Sequence, residues 1–402
     1  MDVRGTDSDV PRPAVGIEIP EPSPAEESVV VSLPPGRFLA LSPASARLLR
    51  LMDGRRDLAA LAALLSGPGA PIPPDALREH IETVLVPQGL VHFGEGARRL
   101  ERPRSPMWLR LPLLPARAVG AAARRLAFLF KPPAVAVVLA LVAVGHAAFY
   151  LSHPVGLTRS LFVPETWLPA MLLFSASALF HELGHAAALA ASGRSPGAVG
   201  CGLYRVFPVL FSDVSEAWLL PRNGRIAVDL GGVHFQLLFA AGLAAAHALG
   251  AGPAVTQALV AIDLAVLLDL NPFLRMDGYW LVSDLTGVRG LRARSMALAA
   301  EAVRGRRPGR ASWPLALYAA LSLAYFAALG IWFALGAAPR LAAAMREALR
   351  GPEAAGGPFA RAVTLLVGAL VLGIAAATLV TGLRSAFRFF DRGADNAGAE
   401  RG

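Results

Sequence analysis

The sequence predicts a mainly α chain: a polytopic membrane helical bundle of about six spans, preceded by a small N-terminal α+β domain. Three observations predict it. Hydrophobic residues make up 55% of the 402 and charged residues only 17%, where soluble domains carry roughly 45–50% and about 25%. The apolar residues gather in long runs near 134–152, 166–192, 226–250, 254–270, 314–337 and 360–382, and a spanning helix needs about 20 mostly apolar residues. Ahead of those runs, residues 28–103 carry only short alternating or helical-period patterns, as a small water-soluble domain does.

Residues 1–27 are polar, with five Pro and no secretory signal, and read as a disordered leader. In the domain at 28–103, residues 28–33 (SVVVSL) and 37–41 (RFLAL) read as strands around the turn signal PPG. Ser42 is placed to cap a helix opened by Pro43, with Ala46, Leu48, Leu49 and Met52 on one face, and Asp53-Gly54 stops it. Asp57 caps a second helix through Leu65, Pro74 and Asp75 open a third to about Val86, and residues 89–93 (GLVHF) close the domain as a strand. Residues 104–133 form a basic connector with Arg110, Arg117, Arg124, Arg125 and Lys131, expected to lie on the membrane surface. Residues 134–383 are the membrane domain and 384–402 a basic tail.

Of the six apolar runs, the third and fourth are the least clean. Gly250 to Pro253 separates them as in a tight helical hairpin, and Asp229, Asp263 and Asp269 interrupt their pattern. Six spans put both termini on one side. The 271–313 loop holds eight Arg, and the connector and tail are basic too, whereas the 153–165 loop has only Arg159 and the 338–359 loop has three. Basic loops stay cytoplasmic, so both termini are expected inside a bacterial cytoplasmic membrane. The net charge of +9 thus reflects membrane topology, not nucleic-acid binding, and the lone Cys201 excludes an intrachain disulfide or a Cys-rich metal site.

FHELGH at 180–185 carries the chemistry. On a helix, His181 and His185 lie on one face a turn apart and can aim two imidazole nitrogens at one Zn²⁺. Glu182 projects beside them, within reach of a water held there. Such a zinc site needs a third protein ligand and an open position, and a carboxylate at Glu182 serves as general base. The string lies inside an apolar run, where ionisable groups are costly and point to function. The third ligand is expected from residues 267–280 (LLDLNPFLRMDGYW), where Asn271-Pro272 ends a span and Asp277-Gly278 offers a carboxylate on a turn. Asp269 and Asp263 compete for that role or serve as polar contacts between helices.

HELGH in an apolar helix followed by NPFLRMDGYW resembles the site-2 protease family of intramembrane metalloproteases, and more closely its bacterial branch of peptide zinc metalloproteases, over residues 180–290. The resemblance implies His181, His185 and Asp277 as zinc ligands, Glu182 as catalytic base and an active site near the cytoplasmic side. Many members have a Gly-Pro and a nearby Asn between the two motifs. This chain has Gly231-Gly232 there and no Asn, which leaves His234, Gln236 and Asn271 as candidates to hold substrate or oxyanion; His234 and Gln236 have the alternative of packing between helices.

Residues 37–65, closed by QGLVHF at 88–93, look like a PqqD-like peptide-recognition domain, a small winged-helix-like fold. The resemblance implies capture of a leader peptide by strand addition. Together these readings give a zinc endopeptidase that cleaves a peptide or membrane-protein substrate in or near the bilayer, such as a ribosomal natural-product precursor, with export or biosynthesis partners. The alternative is an inactive binding or transport-associated membrane protein with a structural metal site.

Overall fold

The computed structural model describes residues 10–21, 28–34, 36–67, 70–94, 107–152, 164–204, 207–305, 309, 312–351, 357–358, 361–362, 364–366 and 368–369. They belong to two compact units, residues 1–291 and 292–402. The architecture is mainly α, with small strand regions in the first unit.

The N-terminal domain follows its sequence pattern. Strands β2 (Val29–Leu33) and β3 (Arg37–Leu41) pair antiparallel, and Gly36 turns the chain between them with φ of 80°. Ser42 caps α1 (Pro43–Leu51) through Ser45 N, and Asp57 caps α2 (Leu58–Leu65) by accepting from Ala60 N at 2.8 Å. α3 (Pro74–His80) runs on as a π-helical turn, Ile81–Leu85. Their apolar faces bury Val31, Leu48, Leu49, Leu61, Ile81 and Leu85 in one core.

Two expectations are corrected here. Part of the stretch read as a disordered leader is ordered. β1 (Pro11–Pro13) pairs with β4 (Val91–Phe93), Glu18 and Ser32 exchange backbone hydrogen bonds of 2.9 and 3.0 Å, and Ile17 and Ile19 pack on the core. Apolar residues spaced singly among prolines are too sparse to register as a pattern, yet Pro suits an edge strand, which needs few N–H donors. The basic connector is not a surface linker either. β5 (Met107–Leu114) opens a three-stranded antiparallel sheet with β6 (Val199–Tyr204) and β7 (Phe207–Ser212), in the order β5-β6-β7. α4 (Ala116–Leu126) then buries Val119 and Ala123 against Ala186 and Ala187, while Arg117, Arg124 and Arg125 face outward.

Among the described helices, four stretches are long and apolar enough to cross a membrane. They are α5 (Pro132–Ser152), α6 (Trp167–Ala191), the continuous pair α7 (Arg222–Asp229) and α8 (Gly231–Ala248), and, in the second unit, a stretch ending at Arg350. The fourth apolar run is a 17-residue helix, α9 (Pro253–Asp269), which follows α8 through a hairpin at Gly250, φ 92°. α10 (Asp277–Thr286) and α11 (Leu291–Val303) come next. The second unit holds α12 (Trp313–Trp332), which passes through a π-helical turn, Phe333–Ala337, into α13 (Ala338–Arg350). The expected loop at 338–359 is therefore helical as far as Arg350: Pro339 sits in a first turn, where Pro is tolerated, and Leu341, Met345 and Ala348 recur at helical spacing. The run expected at 360–382 falls mostly outside the described residues.

α6 and α8 make the contact that positions the site. A Cβ on Gly184 would lie 2.8 Å from Phe235 Cβ and would collide with the Gly231 carbonyl oxygen, and one on Gly231 would lie 2.7 Å from the Gly184 oxygen. The two backbones touch there, as small residues permit in membrane helix pairs. Gly184→Ala is therefore expected to destabilise the fold by about 1–3 kcal/mol through overpacking, read as a lower thermal midpoint in detergent than the wild type gives. A midpoint unchanged by the added methyl group would mean that the helices are not in backbone contact.

Candidate metal centre

α6 presents His181, Glu182 and His185 from its C-terminal half, where its surroundings are α7, α8 and the strand β7. Each imidazole is held by its Nδ1. His181 Nδ1 lies 3.0 Å from Gln236 Oε1 on α8, and His185 Nδ1 lies 2.7 Å from the Val228 carbonyl oxygen on α7. With Nδ1–H donating in both cases, each neutral ring keeps its lone pair on Nε2. The two Nε2 atoms face each other at 3.1 Å.

Asp277 comes from the start of α10. Asn271 Oδ1 accepts from Phe273 N at 2.9 Å, which forms a turn around Pro272 after the end of α9. A Cβ on Gly278 would collide with the Leu270 carbonyl, so glycine is what lets α10 fold back so tightly on that turn. This brings Asp277 Oδ2 to 3.1 Å from His181 Nε2 and 3.3 Å from His185 Nε2.

The three atoms fit a cation. Asp277 Oδ2 is sealed from solvent without a hydrogen bond of acceptable geometry, although both nitrogens stand beside it. With both Nδ1 atoms held from behind, the two Nε2 atoms and Asp277 Oδ2 converge on one point. Separations of 3.1, 3.1 and 3.3 Å are the edges of a tetrahedral face whose centre lies about 2.0 Å from each vertex, the length of a zinc–nitrogen or zinc–carboxylate bond. Space is also kept for it. A Cβ on Gly232 would press on both Nε2 atoms, lying 2.5 Å from that of His185.

These residues line a cavity of about 460 Å³. Glu182 opens into it beside the two His, and Val209 to Ser212 of β7 form one wall. Trp218 and Trp280 form another, their rings edge to face at 5.7 Å. The lining combines these aliphatic and aromatic side chains with the carboxyls of Glu182, Asp229, Asp269 and Asp284.

Not every candidate is brought to the centre. Asp269 lines the cavity, but its approach of 3.9 Å is to His181 Nδ1, the nitrogen already facing Gln236. Asp263 is turned to α5, where it meets His146 Nε2 at 2.9 Å and the Tyr150 hydroxyl at 2.6 Å. The three candidates for substrate or oxyanion contact are not among the residues that line the cavity. Gln236 Oε1 is committed to orienting His181. His234 reaches the Leu129 carbonyl at 3.3 Å and packs on Phe130. Asn271 caps its own turn. The cavity also contains residues that the motifs did not single out, chiefly Arg225, Asp229 and Asp284. A spacing signal existed: Arg225 and Asp229 are four residues apart on one helix, and Asp284 lies seven after Asp277, two turns along the same face.

A comparison with curated proteins finds similarity to the "Putative peptide zinc metalloprotease protein YydH" of Bacillus subtilis (strain 168), 29% identical over 126 residues. The alignment covers 31% of this chain and 50% of that protein, so it spans half the relative's length. No family model matches the chain. No solved structure matches it.

The centre makes two predictions about metal affinity. Asp277→Asn and His185→Ala should each abolish stoichiometric zinc in the purified protein, measured by elemental analysis, while Asp269→Asn retains it. Gln236→Ala should keep the site but weaken zinc by about 10–100-fold, the usual effect of removing a group that orients a ligand. Retention of full affinity by Gln236→Ala in a chelator competition would remove that orienting role.

Proposed function

We propose that the chain is a membrane-embedded zinc endopeptidase, with zinc held by His181, His185 and Asp277 and proton transfer carried by Glu182. The observation that carries this reading is the convergence of the His181, His185 and Asp277 ligand atoms on one point, with Glu182 beside the two His on an otherwise apolar helix. Similarity to a protein named as a peptide zinc metalloprotease supports it. Zinc bound there supplies Lewis-acid polarisation of a peptide carbonyl and of an attacking water. Glu182 accepts the water's proton on its carboxylate and delivers it to the leaving amine. Gln236 and the Val228 carbonyl keep both imidazoles in the tautomer that binds metal. Val209, Leu210, Phe211 and the two Trp rings exclude bulk water from the reacting bond.

The wall formed by β7 supports an extended peptide as the substrate. β7 is the last strand of its sheet among the described residues, and Val209 to Ser212 line the cavity. An extended chain laid along that edge gains backbone hydrogen bonds and passes Glu182. The substrate proposed is a peptide or membrane-protein segment, with the N-terminal domain as its capture module and a cytoplasmic membrane, termini inside, as its setting. The Arg-rich segment after α10 supports that orientation.

Glu182→Gln tests the reading. It should retain zinc, since Glu182 is not a ligand, and slow cleavage of a fluorogenic peptide library by at least about 10²–10⁴-fold, the range for loss of a general base. A zinc-loaded wild type that cleaves nothing under conditions where it stays folded would favour a structural metal site. Removing residues 1–103 should leave zinc content intact and reduce cleavage of the native precursor more than that of short peptides. Equal effects on both would make the domain a tether.

A further inference from the structure

We infer that the buried ion pair between Arg225 and Asp284 is a positioning device for the metal centre, locking together the two helices that supply its carboxylate and its second histidine's support. This rests on the zinc reading above and deepens it. Arg225 projects from α7, and its side chain is only 5% exposed. Its Nε donates to Asp284 Oδ1 at 2.8 Å and its Nη1 donates to the Leu220 carbonyl at 3.0 Å. Both ends of the pair lie on elements of the centre. Three residues along α7 from Arg225, the Val228 carbonyl receives His185 Nδ1–H. Two turns back along α10 from Asp284 stands Asp277.

Asp277 needs such a lock. It sits at the first residue of α10, after the irregular segment that follows α9, so the turn at Pro272 and the packing of Gly278 set the course of α10 while its hold on the rest of the centre comes from side chains further along. The guanidinium fork holds α10 from α7 while the Leu220 contact fixes the fork itself, and planar bidentate geometry is what Arg supplies and Lys does not. Asp229, one turn beyond Arg225, also faces Asp284. Loss of the guanidinium removes the charged tie between α7 and α10 and leaves the Asp284 carboxylate buried without its cation, which loosens the placement of Asp277. The pair touches neither metal ligand directly; it acts through the placement of Asp277 and Val228.

The test uses the full chain purified in detergent, with zinc affinity read by chelator competition and the thermal midpoint of the zinc-free form read alongside. Arg225→Gln and Asp284→Asn should each weaken zinc by about 10–100-fold, with the zinc-free midpoint close to that of the wild type. Arg225→Lys should recover part of the loss, and the Arg225→Gln/Asp284→Asn double variant should be no worse than the weaker single, as expected for residues acting as one unit. Wild-type zinc binding with affinities in both single variants within twofold of it overturns the positioning role. So does a loss of affinity matched by an equal loss of zinc-free stability, which marks the pair as structural only. A wild type that binds no zinc overturns the metal centre itself. Should Arg225→Gln fail to fold, Asp284→Asn decides the question, since it removes the negative charge of the pair while leaving the side chain's shape unchanged.

Discussion

Backbone contact between α6 and α8 at Gly184 and Gly231 is the constraint from which the centre follows. Two imidazoles and a carboxyl on an apolar helix must be satisfied from outside that helix, because its own backbone groups are already paired. A neighbouring helix held at ordinary separation would offer only side-chain tips. At contact distance, α8 brings Gln236 to one Nδ1, and the end of α7, continuous with it, brings the Val228 carbonyl to the other. The same approach would close the space in front of the Nε2 atoms if position 232 carried a side chain, which is why a third glycine stands there. Close packing and metal-sized space are thus produced by one run of small residues.

The irregular segment between α9 and α10 is the second dependence. Non-helical backbone among membrane helices is tolerated where it lines a cavity or is buried in protein. Here Asn271 satisfies the amide of Phe273, Pro272 has none to satisfy, and Gly278 admits the Leu270 carbonyl at close range. The chain therefore leaves α9 and restarts as α10 at little cost in unpaired polar groups, and Arg275 and Met276 contribute the cavity's floor on the way.

Much of this was legible in the sequence where the signal is local. Caps at Ser42 and Asp57, the turn at Gly36 and the hairpin at Gly250 are written in two to four adjacent residues, and the structure places them as read. The His181–His185 spacing is a property of one helix, and Asp277 was named through a resemblance that links it to them. Long-range pairings were not legible. The strand at 107–114 was read as connector because its partner lies about ninety residues away, and its alternation of Leu with Arg and Pro suits an amphipathic surface segment equally well. The strand at 11–13 was missed for the same reason. Gln236 was left between a substrate contact and a bond between helices because a polar residue in an apolar helix signals function without saying to which neighbour it is turned.

The ligands differ in how firmly they are held, and that difference bears on how the site works. His181 and His185 share one helix, and their rings are fixed from behind, so two lone pairs exist in place before any metal arrives. Asp277 stands at a helix start after a turn, on an element tied to α7. In the proposed centre the affinity for an ion therefore depends on the packing of α10 as well as on the chemistry of the donors. Glu182 shares a helix with the His pair, so its place beside their ligand atoms does not depend on α10. In the proposed mechanism the base and the third ligand are thus positioned by different elements, Glu182 by α6 and Asp277 by α10.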